Sequence, residues 1–544
     1  MKLVTVSQMV AIEKEADAHG LSYATMMENA GRGVADAVLD LFASEDEFEA
    51  LGLVGPGNNG GDTLVALEQL SLQGWRTRAY LVKRKPDDLV KRLQAAGGEI
   101  IHAEKDEDFL ALSTFLETAD VLLDGLLGTG FKLPLKAEMV EVLTAVRQAL
   151  DDLDEPPFVV AVDCPSGVEC DSGQAADECL QADMTVTMAA VKQGLLKMPA
   201  FSLVGDLKTI DIGLPADLPS LQAVQTEVAD ENLVADLLPA RPLDAHKGTF
   251  GTALVAAGSV NYTGAAMLSG KAAYRVGAGL VTMAVPAMLH PILAGQFPEA
   301  TWVLLPHERG GIAREAAESL SKHFERATAL LLGPGFGTED TTRDFLHDLL
   351  TGKAAVKKNA PRIGFLPSEG EQPEQSASVE LPPLVVDADG LRLLSKLDDW
   401  SSLLPAPAVL TPHPGEMAAL TGLTTQAIQA DRLAVAVRYA AQWGHVVVLK
   451  GAFTIVAAPD GRSTTIPVAS AALARAGSGD VLAGLIVGLR AQGLDAYASA
   501  VAGAWIHARA GLVAARELGS EASVLAGDIL EAVKTVLMLL SSPL

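Results

Sequence analysis

The sequence predicts an α/β protein of two successive domains, the first a doubly wound, mostly parallel sheet and the second a larger α/β domain in which strands and helices alternate again. Length is the first reason: 544 residues exceed what one hydrophobic core usually serves. Pattern is the second. Short apolar runs bounded by Gly, Pro or Asp recur along the chain, separated by segments long enough for crossover helices, which is how buried parallel strands read. Composition is the third: 50 glycines with 5% aromatic residues suit many tight strand-to-helix turns.

Taken in order, residues 6–18 and 24–42 carry apolar side chains at helical spacing. Strands are predicted at 51–54, 78–82, 119–123, 158–162 and 184–188, giving a first domain over 1–213. Residues 214–245 are rich in Pro, Asp and Ala, and 214–239 read as a linker with room for one strand. The alternation restarts over 240–544, with strands at 252–257, 280–285, 329–332, 384–386, 408–411 and 446–449. Residues 353–380 break the pattern. They are lysine-rich, then rich in Pro, Glu, Ser and Gln, and predict a solvated surface insertion.

With 49% apolar and 20% charged residues the chain is ordinary for a globular protein. Its net charge of −27 argues against nucleic acid and anionic membrane as partners. Any anionic ligand must therefore be held by local groups such as helix N-termini and glycine turns. The first residues lack a secretory apolar core, and no apolar run reaches the ~18 residues of a membrane span. Cys164, Cys170 and Cys179 fit neither a CxxC pair nor a zinc site, which predicts reduced thiols in a cytoplasmic protein.

Chemistry concentrates at predicted strand ends, where open α/β sheets bind ligands. Leu51-Gly-Leu-Val-Gly-Pro-Gly-Asn-Asn-Gly-Gly-Asp62 runs from a strand through a glycine turn into a helix. Gly55, Gly57 and Gly60 satisfy G-x-G-x-x-G, but a dinucleotide dehydrogenase needs an acidic residue about 20 positions on. Lys83-Arg84-Lys85 stands there instead, a basic end that could suit a 2′-phosphate. Asn58, Asn59 and Asp62 are more than a plain phosphate turn requires. Asp124-Gly-Leu-Leu-Gly-Thr-Gly130, Asp163-Cys-Pro-Ser-Gly167 and Ala190-Val-Lys-Gln-Gly194 lie at further strand ends. An Asp at such a place often only caps the next helix; several on one sheet edge point to a site.

Met27-Glu-Asn-Ala-Gly31, with the 57–62, 124–130 and 163–167 motifs in the same order, resembles the NAD(P)H-hydrate epimerase family over about residues 1–213. The resemblance implies a Rossmann-like three-layer αβα domain. It implies that Asn58, Asn59, Gly60, Gly61 and Asp62 line the hydrated dinucleotide, with Gly128, Thr129, Gly130, Phe131, Lys132, Leu133 and Pro134. Asp163 would contact the hydrated ring as acid/base, and Asn59, Asp124 and Ser166 would ligate K⁺. Those ligands offer only oxygen, which suits a hard cation. The chain departs from the family at Thr63, where Gly is usual.

The second half has no P-loop: 264–271 has one residue too many between its glycines, and Ala272 replaces the Ser or Thr. Its strongest local feature is Ala476-Gly-Ser-Gly-Asp480, glycines freeing backbone N–H groups at a helix start. Asp480 is there either as a helix cap or as an acid/base group. Thr411-Pro-His-Pro-Gly-Glu416, Lys450-Gly-Ala-Phe-Thr454, His246-Lys-Gly-Thr-Phe-Gly251, Leu332-Gly-Pro-Gly335 and Asp387-Ala-Asp389 accompany it. Together they resemble the NAD(P)H-hydrate dehydratase family, hence a ribokinase-like α/β domain. The resemblance implies that Lys450, Gly451, Ala452, Phe453, Thr454 and Gly479 bind ADP or ATP, with a lean toward ADP. Ala265, Gly335, His413 and Asp480 would contact the hydrated cofactor, with Asp480 catalytic and Mg²⁺ bridging the nucleotide's phosphates. His413, between two prolines, could instead cap a turn.

The two resemblances predict a bifunctional isomerase and lyase that repairs hydrated NADH and NADPH, as a homo-oligomer. A vitamin or sugar kinase with an accessory domain is one rival, against which the His413 and Lys450-Gly451 set and the fused first half argue. A binding protein with a silent first half is another, against which the retention of Asn59, Asp124, Asp163 and Ser166 argues.

Overall fold

A computed structural model describes residues 1–42, 47–353 and 380–541. The predicted surface insertion lies, but for its end residues, outside the described residues. The chain divides into two compact units, Met1–Val228 and Ala229–Leu544.

In the first unit the strand order is Glu99–His102, Arg76–Leu81, Glu49–Val54, Val121–Gly125, Phe158–Val162, Met184–Met188, Asp206–Ile210. Every neighbouring pair is parallel. Cores cover both faces. Met9, Ile12, Val34, Val38 and Leu67 fill one, and Leu112, Leu116, Leu143 and Val146 the other. The strand order reverses beside Glu49–Val54, so the crevice opens at the C-terminal ends of that strand and Val121–Gly125. A short parallel pair, Leu3–Val4 with Val191–Lys192, stands apart.

The second unit strings Ser463–Thr465, Ile455–Ala457, Val446–Leu449, Val409–Leu410, Leu384–Val386, Ala329–Leu332, Thr252–Ala256, Leu280–Pro286 and Thr301–Leu305 in that spatial order. Its pairs are parallel from Thr301–Leu305 as far as Val446–Leu449, then antiparallel. The order reverses between Thr252–Ala256 and Ala329–Leu332.

The predicted strands are present, with shifted ends at several. Glu99–His102, Asp206–Ile210 and Thr301–Leu305 are among the strands not predicted; so are the antiparallel Ile455–Ala457 and Ser463–Thr465, whose three residues are too few to show a period, but the first three have a further cause. Each is partly exposed along its length, so it lacks the continuous apolar run of a central strand. The 214–239 segment is not a free linker. Leu218 and Val224 are buried in the first core and Val234, on the helix Glu231–Leu237, in the second. The units therefore part at Val228 rather than near Gly213. All three cysteines are buried free thiols.

Candidate functional site

The first cluster grows from the glycine turn. Gly57 precedes the helix Asn58–Leu72 without a side-chain cap, leaving N–H groups free at its start. Gly60 is obligatory: a Cβ there would lie 2.2 Å from Gly55 O. Arg84 donates to Gly55 O and Gly57 O, each at 3.0 Å, and pairs with Asp87 at 2.7 Å. The basic end thus braces the turn. Asn59 Nδ2 donates to Leu127 O at 2.8 Å, while its buried Oδ1 has no partner. Leu127 N donates to Ser166 Oγ at 2.9 Å. Ser166 in turn donates to Asp124, from Oγ to Oδ1 at 2.5 Å and from N to Oδ2 at 2.8 Å. Burial pushes the Asp124 carboxyl up despite these bonds. Asn59, Asp124 and Ser166 are thereby brought to one backbone segment. Gly128 packs on Asn59, since a Cβ on it would lie 3.1 Å from Asn59 Cβ. Thr129, Gly130, Phe131, Lys132, Leu133 and Pro134 continue as a partly exposed loop from the same strand end.

Asp163 follows the strand Phe158–Val162 at φ +64°, its N–H donating to Val186 O at 2.8 Å. It caps no helix. Its Oδ1 accepts from Thr187 Oγ1 and Met188 N, both at 3.1 Å, and from the buried Lys192 ammonium. Asp62 and Glu13 share this electrostatic neighbourhood. Burial, then the charges of Asp163 and Glu13, push the Asp62 carboxyl well above the ordinary range; burial likewise raises Glu13. One unit thus holds an ion-paired carboxylate beside two acids that keep their protons more tightly than usual.

The second cluster lies at the ends of the central strands of the other unit. Asp387 follows Leu384–Val386, and its Oδ1 accepts from Lys450 Nζ and Thr411 Oγ1, each at 2.6 Å. Asp387 Oδ2 is buried without a partner. Glu416 Oε2 lies 3.7 Å from Lys450 Nζ. Burial opposes the lysine's charge, but Asp387 and Glu416 outweigh it and hold the ammonium above its ordinary range. Arg432 donates to Leu449 O at 2.9 Å and Lys450 O at 3.2 Å, supporting the turn from behind.

Asp480 lies in the first turn of the helix Ser478–Ala491, whose N-cap is Gly477 at φ +89°. It is therefore not the cap. Burial, then the Asp387 charge, push its carboxyl up to about 7. A Cβ on Gly479 would lie 3.5 Å from Lys450 Nζ and 4.0 Å from Asp387 Oδ2, which places this helix start beside that ion pair. His413 does cap: its Nδ1 accepts from Gly415 N at 2.9 Å and Glu416 N at 3.3 Å. Gly335, at φ +64°, sits where a Cβ would be 2.8 Å from Ala265 Cβ.

A cavity of about 480 Å³ is lined by His413, Lys450, Gly451, Ala452, Thr454 and Gly479 among others. Phe453, Asp480, Ala265 and Gly335 do not line it. Ile466, Val468, Leu473 and Leu482 supply an apolar wall, and Ser478 and His507 a polar end. His507 faces Ser478 Oγ at 3.1 Å, and burial drives its imidazole down to about 4.

Residues 23–194 match the family model described as YjeF-related protein N-terminus. Residues 253–361 and 367–535 match that of NAD(P)H-hydrate dehydratase. The bifunctional NAD(P)H-hydrate repair enzyme Nnr of Moorella thermoacetica is 35% identical, over 99% of this chain and 97% of its own. That of Thermofilum pendens is 34% identical, over 96% and 93%. The chain belongs to the bifunctional NAD(P)H-hydrate repair enzymes. The ADP/ATP-dependent NAD(P)H-hydrate dehydratase of Bacillus subtilis, solved with ATP/Mg²⁺, is 28% identical; it covers 59% of this chain and all of its own, at TM-score 0.47.

Sequence reasoning about this repair-enzyme chain missed Glu13, Arg84's bracing role, Arg432 and His507. Glu13 and Arg432 lie on ordinary amphipathic helices, where a glutamate or arginine reads as surface. It also gave Lys192 and Asp387 no role beyond membership of a motif. A lysine immediately after a buried apolar run was the available signal for both Lys192 and Lys450.

Proposed function

We propose that the two units divide the repair of hydrated NAD(P)H, and that the residues named above carry it. Support comes from one observation above all: each unit gathers its own buried carboxylate cluster at the C-terminal ends of its central parallel strands.

In the first unit, Asp163 acts as the acid/base group at the hydrated ring: it carries the C6 hydroxyl proton to N1 as the C6–N1 bond opens to an aldehyde, and returns it to oxygen as N1 adds to the other face of that carbonyl, interconverting the R and S epimers of NADHX and NADPHX with no atom gained or lost. The helix start at Asn58, Asn59, Gly60, Gly61 and Asp62 and the 128–134 loop bind the dinucleotide. The Asn59, Asp124 and Ser166 oxygens fit K⁺: Asn59 Oδ1 is a buried acceptor without a partner, and the buried Asp124 lacks a counter-charge among its hydrogen-bond partners. Bound there, the ion would supply a fixed positive charge.

In the second unit, Lys450, Gly451, Ala452, Phe453, Thr454 and Gly479 bind ADP or ATP, while Ala265, Gly335, His413 and Asp480 face the S epimer. Asp480 removes the hydroxyl proton as the oxygen attacks the terminal phosphorus. The backbone N–H groups of the helix start stabilise the charge on the transferring group. Loss of the phosphate with a ring proton restores the double bond. Mg²⁺ would accompany the nucleotide's phosphates; the unpartnered Asp387 Oδ2 beside Lys450 suits a cation-carrying ligand. The free cysteines favour a reducing compartment, hence the cytoplasm, and we expect a homo-oligomer.

The test is Asp480→Asn assayed with separated epimers and ADP or ATP. Nucleotide-dependent NADH recovery should vanish while epimer interconversion persists. A folded variant that loses both activities would sink the two-site reading. The small-molecule kinase alternative has no support from relatives matching nearly the whole chain.

A further inference from the structure

We infer that Lys192 is a positioning residue of the epimerase site, fixing Asp163 as a carboxylate held through one oxygen while the other is left for the ligand. The inference rests on the reading of Asp163 as the epimerising group.

Lys192 is 1% exposed. An ammonium so buried is costly unless every proton is matched, and here the count closes. Nζ donates to Asp163 Oδ1, to Thr187 Oγ1 at 3.1 Å and to Met188 O at 3.0 Å. Three acceptors use all three of its protons, so Lys192 has none to spare for a substrate. Its target is equally committed. Asp163 Oδ1 accepts from Lys192, from Thr187 Oγ1 and from Met188 N, and none of these bonds uses Oδ2.

The backbone restricts both partners. Lys192 lies in the two-residue strand Val191–Lys192, with Leu3 opposite Val191 and Val4 opposite Lys192. Asp163 is held at positive φ directly after a central strand. The charged groups facing the pair are acidic on two further elements: Glu13 from the helix Val6–Ala18 and Asp62 from the helix Asn58–Leu72. Arg84 acts on Asp62, and the buried Cys164 thiol adjoins. Three carboxyls thus surround one buried cation. Without that cation, Asp163 Oδ1 loses its ionic partner and faces the other two carboxyls unshielded.

The experiment uses Lys192→Met in the full chain, with R- and S-NADHX separated by chromatography and epimerisation followed across pH. We expect kcat to fall on the order of 10²-fold, within the range general acid–base groups contribute, with KM little changed. The acid limb of the profile should move to higher pH, and dehydration of the pure S epimer should be unaffected. Lys192→Ala should regain activity when ethylammonium is added. If Lys192→Met does not fold, Thr187→Val removes the hydroxyl bridging the pair and should move the limb the same way. A folded variant with an unmoved acid limb, or a loss that only tracks the unfolded fraction, overturns the assignment. Asp163→Asn is the control. If it keeps epimerising, the reading of Asp163 fails; if it is dead while Lys192→Met retains the wild-type profile, only the Lys192 inference fails.

Discussion

Dehydration should be gated by the ionisation of Asp480, and the pH dependence can be worked out in advance. Asp480 can take the substrate's hydroxyl proton only as a carboxylate. Burial, reinforced by the Asp387 charge, pushes its carboxyl up to about 7. The base form therefore grows as pH rises through that value: about one tenth is ionised one unit below it and about nine tenths one unit above. Between about pH 6 and pH 8, kcat/KM for S-NADHX should climb roughly tenfold and then level off. The assay is absorbance recovery of NADH at low substrate and saturating nucleotide. Phosphate monoesters also titrate near about pH 6, so the ascending limb needs a second mark. Asp387→Asn supplies it. Removing the neighbouring negative charge should move the limb to lower pH, because that charge raises Asp480; a limb belonging to the nucleotide would stay. A flat profile across this window, or a limb indifferent to Asp387→Asn, would refute the assignment of Asp480 as base.

Two further outcomes are expected. Asp163→Asn keeps the side chain's shape but cannot carry the proton, so epimerisation should drop by about 10²–10⁴-fold while dehydration of the pure S epimer continues; near-normal epimerisation by the folded variant would demote Asp163 to scaffold. K⁺ should support epimerisation better than Li⁺ if the oxygens of Asn59, Asp124 and Ser166, fixed by bonds to the Leu127 backbone and to one another, hold the large cation proposed above, and equal rates at matched ionic strength would remove the metal.

Much of this architecture is legible in the sequence because buried parallel strands write themselves as short apolar runs, and the chemistry sits on the residue after each. Asp124, Asp163, Asp387 and Lys450 all occupy such positions. Edge strands such as Asp206–Ile210 carry no such mark, since one side of each faces water. The 214–239 segment misleads for a different reason. Its prolines and acids look like a linker, yet Leu218, Val224 and Val234 are buried in the two cores, and a few well-spaced apolar side chains are enough to fold it. The capping alternative was decided differently at two residues of similar local context. His413 accepts the N–H groups of the turn it starts, whereas Asp480 stands three residues past its cap and accepts none. Only coordinates separate those cases. Glu13 was illegible because the groups it faces, Asp163 and Lys192, lie far along the chain, and Arg432 because its acceptors are the backbone carbonyls of Leu449 and Lys450, which no side-chain pattern marks.

Thr63, the departure from the family's usual glycine, is fully buried, and its hydroxyl donates to Asn59 O at 2.8 Å. Across the sheet edge, a Cβ on Gly125 would lie 1.7 Å from that same hydroxyl oxygen. The two positions therefore share one methyl-sized space, which only one of them can fill. Such a pair imposes an order on sequence drift: Gly125 can gain a side chain only after Thr63 has lost its own and the Asn59 carbonyl, 3.2 Å from that Cβ, has given way, and the reverse route passes through a clash beside the glycine turn. Among relatives, the size of the residue at one position should forecast the size at the other, and ancestral exchanges should be dated with the glycine arriving first.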